Sequence, residues 1–342
     1  MDLKALFAEN RKFICGTELA AETIRRQYAP GDIKARAVIG TVDLPTGRIR
    51  VGDPLSYLCA ERFSPVLEKT VKPGSYPVEI AVITTAFDGP RICSSRIRFS
   101  DEEAVRYELA CPTHETAVFQ AKDGDSPGFA VDAGMMAFSD EQTAHEYALW
   151  LDGWHSAHPD ANHYDDYFAE LFAKSYEANP SIQRSGGDFI EWAVPDIGSR
   201  IVMNATGFGD GLYQIFWGYD KNGDVCELTV PLIEGSDLEA ANEEYLSVWD
   251  GIEACIVTNH IAEGGGIGYM CRYETEDNSY NGWIFYGFDE DSAYWDDGKN
   301  FTLYSTHGLA ERFPNIIPLL HSPAGTAYFG EEDGTFTLDD RE

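Results

Sequence analysis

The segment YPVEIAVITTAF at residues 76–87, answered by RICSSRIRFS at residues 91–100 across Asp88-Gly89-Pro90, decides the fold. Both runs are rich in the β-branched residues that fit a pleated, half-buried surface, and Asp-Gly-Pro between them is turn chemistry, so the pair predicts a β-hairpin. Working upstream, GRIRVGDP (47–54) reads as a strand closed by the Asp53-Pro54 turn. Downstream, EAVRYELAC (103–111) extends the hairpin, unless Ser100-x-x-Glu103 opens a helix as a capping box. GFAVDAGMMAFSD (128–140) adds a short strand and a turn.

Helical signals follow. Ser139-x-x-Gln142 reads as a capping box before TAHEYALWLDGW, and YDDYFAELFAKSYEANP carries apolar residues at three- and four-residue spacing up to Pro180. The pattern then returns to strands in FIEWAVP, SRIVMNATG and GLYQIFWGYD. Asp220-Lys221-Asn222-Gly223 turns the last of these into VCELTVPLI. SDLEAANEEYLSVW, with Ser236-x-x-Glu239 as its capping box, predicts a linker helix. Beyond it, ACIVTNHI, IGYMCRYE, GWIFYGF, GTAYF and GTFTLD read as strands and STHGLAERF as a short helix. The expected architecture is α+β in two domains, each a mainly antiparallel sheet with a few packed helices. Residues 1–46 form a helical lead-in and first strand, 47–235 a β-rich domain, 236–252 the linker helix and 253–342 a second α+β domain.

Composition narrows the function classes. Of 342 residues, 58 are acidic and 25 basic, a formal charge of −33. Such a field repels nucleic acid and anionic membrane and attracts basic proteins and cations; a solubility or salt adaptation is the alternative. Residues 251–342 hold 17 acidic against 4 basic side chains, so the C-terminal part is the more acidic per residue. Seven scattered cysteines without a CxxC spacing read as free thiols in a reducing compartment. With no long apolar run and no cleavable leader, the expectation is a cytoplasmic chain.

The candidate sites are few. Gly264-Gly265-Gly266 lacks the following helix and Lys of a phosphate loop and reads as a hairpin tip. Asp220 to Asp224 reads as a hairpin turn, lacking the alternating ligands and closing Glu of a calcium loop. His155, His158 and His163 have metal-like spacing, but Pro159 and the polar surroundings favour a linker. Asp132 and Asp210, each beside glycine in an acidic turn, are the weak catalytic candidates for paired-carboxylate chemistry, and each also fits an ordinary turn. No nucleophile elbow occurs. The strongest pattern is Trp283, Phe285, Tyr286, Phe288, Tyr294 and Trp295 interleaved with Asp289, Glu290, Asp291, Asp296 and Asp297. Rings supply anchors and carboxylates steer a basic partner. Strand alternation sends half of those rings into the core. The expected partner-binding set is Trp283, Tyr286, Asp289, Glu290, Asp291, Tyr294, Trp295, Asp296 and Asp297, with no metal or cofactor.

Two resemblances rest on these residues. CIVTNHI, Gly268-Tyr269-Met270 with Arg272-Tyr273-Glu274, Asn281-Gly282-Trp283, the Asp289-Glu290-Asp291 loop and IIPLLHSPAGTAY resemble, in order and spacing from 253 to about 338, the immunity protein 33 family of bacterial polymorphic toxin systems. GRIRVGDP, YPVEIAVI, RIRFSDEEAVRYELA, FAVDAGMMAF and GFGDGLYQIFWGYDKNGDV, spanning roughly 47–233, resemble a bacterial family of unknown function numbered 4241. The first resemblance implies a protein that binds and neutralises a cognate toxin domain; the second supplies no activity. A basic toxin would be steered to the acidic surface, with no nucleic acid or membrane as partner. The alternatives are a hydrolase or carbohydrate-active enzyme using Asp132 and Asp210, and a housekeeping interaction module.

Overall fold

The computed structural model describes residue 24 and residues 33–113, 127–276 and 279–340. Most of the expected helical lead-in, and Cys15, lie outside them; Ile24 is helical and buried. The fold class is α+β, and the chain divides into two compact units, Met1–Glu239 and Ala240–Glu342.

The first unit is a sandwich. Its strands are β1 (Ala35–Leu44), β2 (Arg48–Gly52), β3 (Val66–Thr70), β4 (Gly74–Thr85), β5 (Gly89–Arg98), β6 (Arg106–Leu109), β7 (Phe129–Val131), β8 (Met135–Asp140), β9 (Phe189–Ala193), β10 (Arg200–Ala205), β11 (Gly211–Tyr213), β12 (Phe216–Tyr219) and β13 (Val225–Pro231). One sheet has the order β1-β4-β5-β13-β12-β6, the second β3-β2-β8-β10-β9, and β7 pairs with β11. The hairpin expected at residues 76–100 is β4–β5, in antiparallel register from Val78↔Ile97 to Thr85↔Gly89. Its alternate residues Val78, Ile80, Val82, Ile92 and Ile97 meet Ile49, Val51, Met136, Phe138 and Val202 of the other sheet in one core. Burying such side chains is worth about 1.5–3 kcal/mol each. Helices α1 (Glu141–Ala157) and α2 (Ala169–Ala178), with the π-helical turn Tyr164–Phe168 that leads into α2, cover the outer face of the second sheet through Ala144, Tyr147, Phe168 and Phe172.

Several local expectations change. EAVRYELAC becomes strand β6, but it pairs with β12 and not with the β5 that precedes it. GLYQIFWGYD divides between β11 and β12, which belong to different sheets. Helix α1 is capped by Asp140, not Ser139: its carboxylate accepts from Gln142 N and also from Thr46 N and Gly47 N, fixing the β1–β2 turn and a helix start at once. Cys111 is disulfide-bonded, which corrects the reading of seven free thiols, because spacing along the chain says nothing about pairs that folding brings together. Cys59, Cys93, Cys226, Cys255 and Cys271 are free.

Helix α3 (Gly235–Trp249) crosses the division between the units; Ser236 lies inside it and not ahead of it as a cap. The second unit holds β14 (Ala254–Thr258), α4 (Asn259–Ala262), β15 (Ile267–Arg272), β16 (Trp283–Gly287), α5 (Ser292–Trp295), β17 (Phe301–Ser305), α6 (Thr306–Arg312), β18 (Ala327–Gly330) and β19 (Phe336–Leu338). Its single sheet runs β17-β14-β16-β15-β18-β19, antiparallel except for the parallel pair β14–β16. One face packs Cys255, Val257, Met270, Trp283 and Phe285 against Trp249, Ile261, Leu309, Ile316 and Leu320. Among the described residues no helix is long and apolar enough to cross a membrane.

Candidate functional site

In β16 the side chains alternate, and the core takes the odd positions. Trp283 is fully buried and its Nε1 donates to Leu320 O at 2.9 Å. That corrects its place among surface anchors: a ring facing the helices cannot also face a partner. Phe285 is buried beside it. Ile284 and Tyr286 point to the opposite face.

That opposite face forms a continuous apolar surface. Cross-strand pairing lines up Leu303, Ile256, Ile284, Cys271 and Ala327 in one row. The neighbouring row brings Tyr286, Tyr269 and Phe329 together, with ring centroids 5.9 Å and 5.2 Å apart. Phe301 packs edge-on against Tyr286 at 5.8 Å, and the Trp295 ring lies 4.8 Å from it, tilted. Leu303 and Tyr273 are 57% and 52% exposed. Burial, followed by the nearby Cys271 and Tyr273, pushes the Tyr286 phenol far above its ordinary value; burial and then Asp339 raise Tyr269 to about 12. Neither phenol ionises near neutrality, and the Tyr269 O–H already donates to Asp339 Oδ2 at 3.2 Å, so what the face offers is the rings.

The acidic loop is folded onto the edge of this face, and its carboxylates have unequal jobs. The Glu290 side chain is fully covered; it accepts from Trp295 Nε1 at 2.9 Å and lies 3.2 Å from His260 Nδ1. Gly287 permits this, since a Cβ there would stand 2.5 Å from Glu290 Oε1. Asp291 caps α5 by accepting from Tyr294 N at 2.9 Å, and Asp297 accepts from Lys299 N at 3.0 Å. Asp289 and Asp296 are exposed, Asp289 with a φ of 60° that a short polar residue tolerates. Tyr294 stacks on His260 at 4.6 Å. The loop is therefore held by two capping carboxylates, one covered carboxylate and one ring stack.

The glycine run joins α4 to β15 and is not a hairpin tip, because β14 and β15 are not sheet neighbours. Gly264 takes a φ of +115°, and a Cβ on Gly266 or Gly268 would lie 2.9 Å or 3.0 Å from the Phe288 ring. The glycines make a bed for that ring. Tyr269, Ile256, Ile284, Leu303 and Phe329 were missed in the sequence as surface residues; period-2 alternation could have found them once one core residue per strand was known.

In the first unit the two acidic turns are brought together, with Asp210 in a structural role. Asp53 is buried and its Oδ2 accepts from Asp132 N at 2.9 Å and Ala133 N at 2.7 Å, while Asp210 Oδ1 accepts from Gly134 N at 3.0 Å. Three consecutive amides of the Asp132-Ala133-Gly134 turn are thus held by two carboxylates. Burial, then the charge of Asp132 and its hydrogen bond, then Asp53 and Asp210, hold the Tyr57 phenol above its usual value. His158 stacks on Trp154 at 4.7 Å and its Nδ1 meets Trp154 O at 2.9 Å, whereas His155 and His163 approach edge to face at 5.1 Å. Burial pushes the Cys93 and Cys255 thiols up to about 12, the mark of inert thiols and not of nucleophiles.

Comparison with known proteins agrees with both resemblances drawn from the sequence. Residues 42–230, more than half of the chain, match the family described as protein of unknown function (DUF4241), and the chain belongs to that family. Residues 255–339, the strands and loops of the second unit, match the immunity protein Imm33 domain. No curated protein and no solved structure matches the chain.

Proposed function

We propose that this family member is an immunity-type binding protein that neutralises a cognate toxin domain by direct contact with its second unit. The observation that carries the reading is the apolar sheet face of Ile256, Ile284, Tyr269, Tyr286 and Phe329, edged by Trp295 and the exposed Asp289 and Asp296, on the unit that matches an immunity domain. Buried aromatic anchors inside a polar rim are what concentrates binding energy in a protein interface. The rim is acidic, so the partner it fits is basic, and the net charge of −33 accelerates its approach. Blocking the toxin's active site or substrate groove needs no cofactor.

Co-expression with the toxin encoded beside the gene tests this. Protection of the cell and a co-purifying complex are expected. Tyr286→Ala and Trp295→Ala each weaken the complex at least tenfold, about 1.4 kcal/mol or more. Absence of both protection and complex sinks the reading; a complex insensitive to either variant moves the interface elsewhere.

A further inference from the structure

The sheet of the second unit has one undefended edge. An open strand edge is a row of backbone donors and acceptors ready for another strand, and folded proteins blunt it with charge, bulges, proline or brevity. β1, an edge of the first unit's sandwich, is bulged between Val38 and Gly40, and its Thr41 N–H donates to Glu191 Oε2 at 2.5 Å. β19, at one end of the second unit's sheet, is three residues long and lies between Glu331-Glu332-Asp333 and Asp339-Asp340. β17, at the other end, has none of these devices. Phe301-Thr302-Leu303-Tyr304-Ser305 contains no charge and no proline, and it pairs with β14 in five unbroken steps. Among the described residues β14 is its only sheet neighbour.

The parity of the ladder fixes what this edge presents. Thr306 N donates to Glu253 O at 2.9 Å, so the strand residues that exchange bonds with β14 are Tyr304 and Thr302. Ala254 O accepts from Asn281 N at 2.8 Å, on the β16 side, so its pair Ser305 turns outward, and Leu303 and Phe301 do the same. The Phe301 N–H is already bonded to Gly298 O. Four groups face away from the sheet: Leu303 N–H and C=O, Phe301 C=O and Ser305 N–H. An added strand running in either direction bonds all four. Leu303, 57% exposed, also ends the row that runs through Ile256, Ile284, Cys271 and Ala327. A residue paired with Leu303 lengthens that row by one.

The charges at the ends of the strand choose the occupant. Exposed Asp296 and Asp297 precede β17, and exposed Glu253 pairs with Thr306 just past its end, against Lys299. A second copy of the chain, paired antiparallel about Leu303, sets these carboxylates against their own equivalents, between segments 251–342 that each hold 17 acidic and 4 basic side chains. A segment with lysine or arginine at its ends meets the opposite sign at both.

We propose that β17 takes an extended, basic segment of the toxin as a seventh strand of this six-stranded sheet, with an apolar side chain opposite Leu303 and cationic side chains flanking it. The proposal rests on the toxin-binding reading above and adds its mode: backbone hydrogen bonds set the register, and the apolar face supplies the anchors.

Amide hydrogen exchange followed by NMR on the full chain, free and bound to the toxin encoded beside the gene, tests it. In the free chain the Thr302 and Tyr304 amides are protected by β14, while Leu303 and Ser305 exchange at least tenfold faster; in the complex Leu303 and Ser305 slow at least tenfold. The toxin segment that gains protection with them carries net positive charge. Leu303→Pro removes an outward N–H only, so the melting curve stays near that of the parent while the complex weakens at least tenfold; Leu303→Thr keeps the N–H and weakens it less. The exchange measurement on the parent chain decides the matter even where Leu303→Pro does not fold. A complex in which Leu303 and Ser305 exchange as in the free chain overturns the proposal and leaves toxin binding standing. So does a protected toxin segment of net negative charge. Protection of both amides in the toxin-free chain that grows with concentration overturns it in favour of a second copy. Absence of any complex removes the toxin-binding reading and this proposal with it.

Discussion

Asp43→Asn should make the first unit less stable at neutral pH and remove one step of its acid sensitivity. Asp43 stands near the end of β1, in one sheet of the sandwich, and Arg200 begins β10, in the other. Arg200 N and Nε donate to Asp43 Oδ2 at 3.0 Å and 2.9 Å, and Nη2 to Oδ1 at 2.8 Å; Ser75 Oγ donates to the same carboxylate at 2.5 Å. The Arg200 guanidinium is the main cause that lowers the Asp43 pKa from 3.8 to about 2, against a smaller opposing effect of burial. Such a displacement corresponds to about 2.4 kcal/mol. Arg200 is 34% exposed at its side chain, so solvent screening reduces the expectation to about 1–2 kcal/mol. Because the folded pKa is the lower one, this stability is fully present above about pH 4 and disappears as pH falls through about 2. Urea unfolding at pH 7, 4 and 2.5 reads it: the variant loses about 1–2 kcal/mol at pH 7 and converges on the parent at the acid end. Titration of Asp43 near 3.8 by carboxyl NMR, or the same deficit at pH 2.5 as at pH 7, would refute the reasoning.

Arg96 lies 2.6 Å from Glu79 and 3.0 Å from Glu227, whose side chain is 3% exposed; Arg96→Ala strands that carboxylate and should cost about 3–5 kcal/mol, while Arg96→Met with Glu227→Gln recovers much of it in urea unfolding. Failure of the double variant to recover would show that packing, not charge, set the loss. Glu290→Ala frees Trp295 and His260, so toxin dissociation should accelerate about tenfold, and the Trp295 indole N–H signal should shift and broaden. Gly287→Ala should reproduce that behaviour, since its methyl occupies the space of the Glu290 carboxylate; opposite effects of the two would break the link. Lysine at Asp289 and Asp296 should slow association and weaken its salt dependence with little change in dissociation, and an unchanged association rate would take both outside the interface.

Legibility tracked distance along the chain. The β4–β5 hairpin could be read because its strands and turn are contiguous, so local composition carried the answer. Strand β17 was passed over: FTLYS follows an acidic loop and pairs with β14, some forty-five residues earlier. In β16 the two-residue period is visible, yet nothing local tells which parity meets the helices, and Trp283, which the sequence pattern offers as a surface anchor, is buried. Glu290 reads as one more solvated acid in an acidic run; only an indole five residues on and an imidazole thirty residues back cover it. Asp53 was noticed as turn chemistry, but its hold on the Asp132 turn spans seventy-nine residues. A polar cavity of about 880 Å³ in the first unit is lined from six places in the chain, so no single motif announces it.

The order of strands in the second unit also sets a schedule for its synthesis. β14, the first strand to leave the ribosome, ends at a position flanked by β16 and β17, the third and fourth. Until residue 305 has emerged, β14 has an incomplete set of neighbours, and the apolar rows that cross Ile256 are unfinished. Contacts this distant in sequence form late, and an unfinished sheet exposes open edges. A chain cut short before β17 would therefore carry most of the mass of this unit and none of its finished surface, so that surface should arrive as an all-or-none property of chains that extend past residue 305.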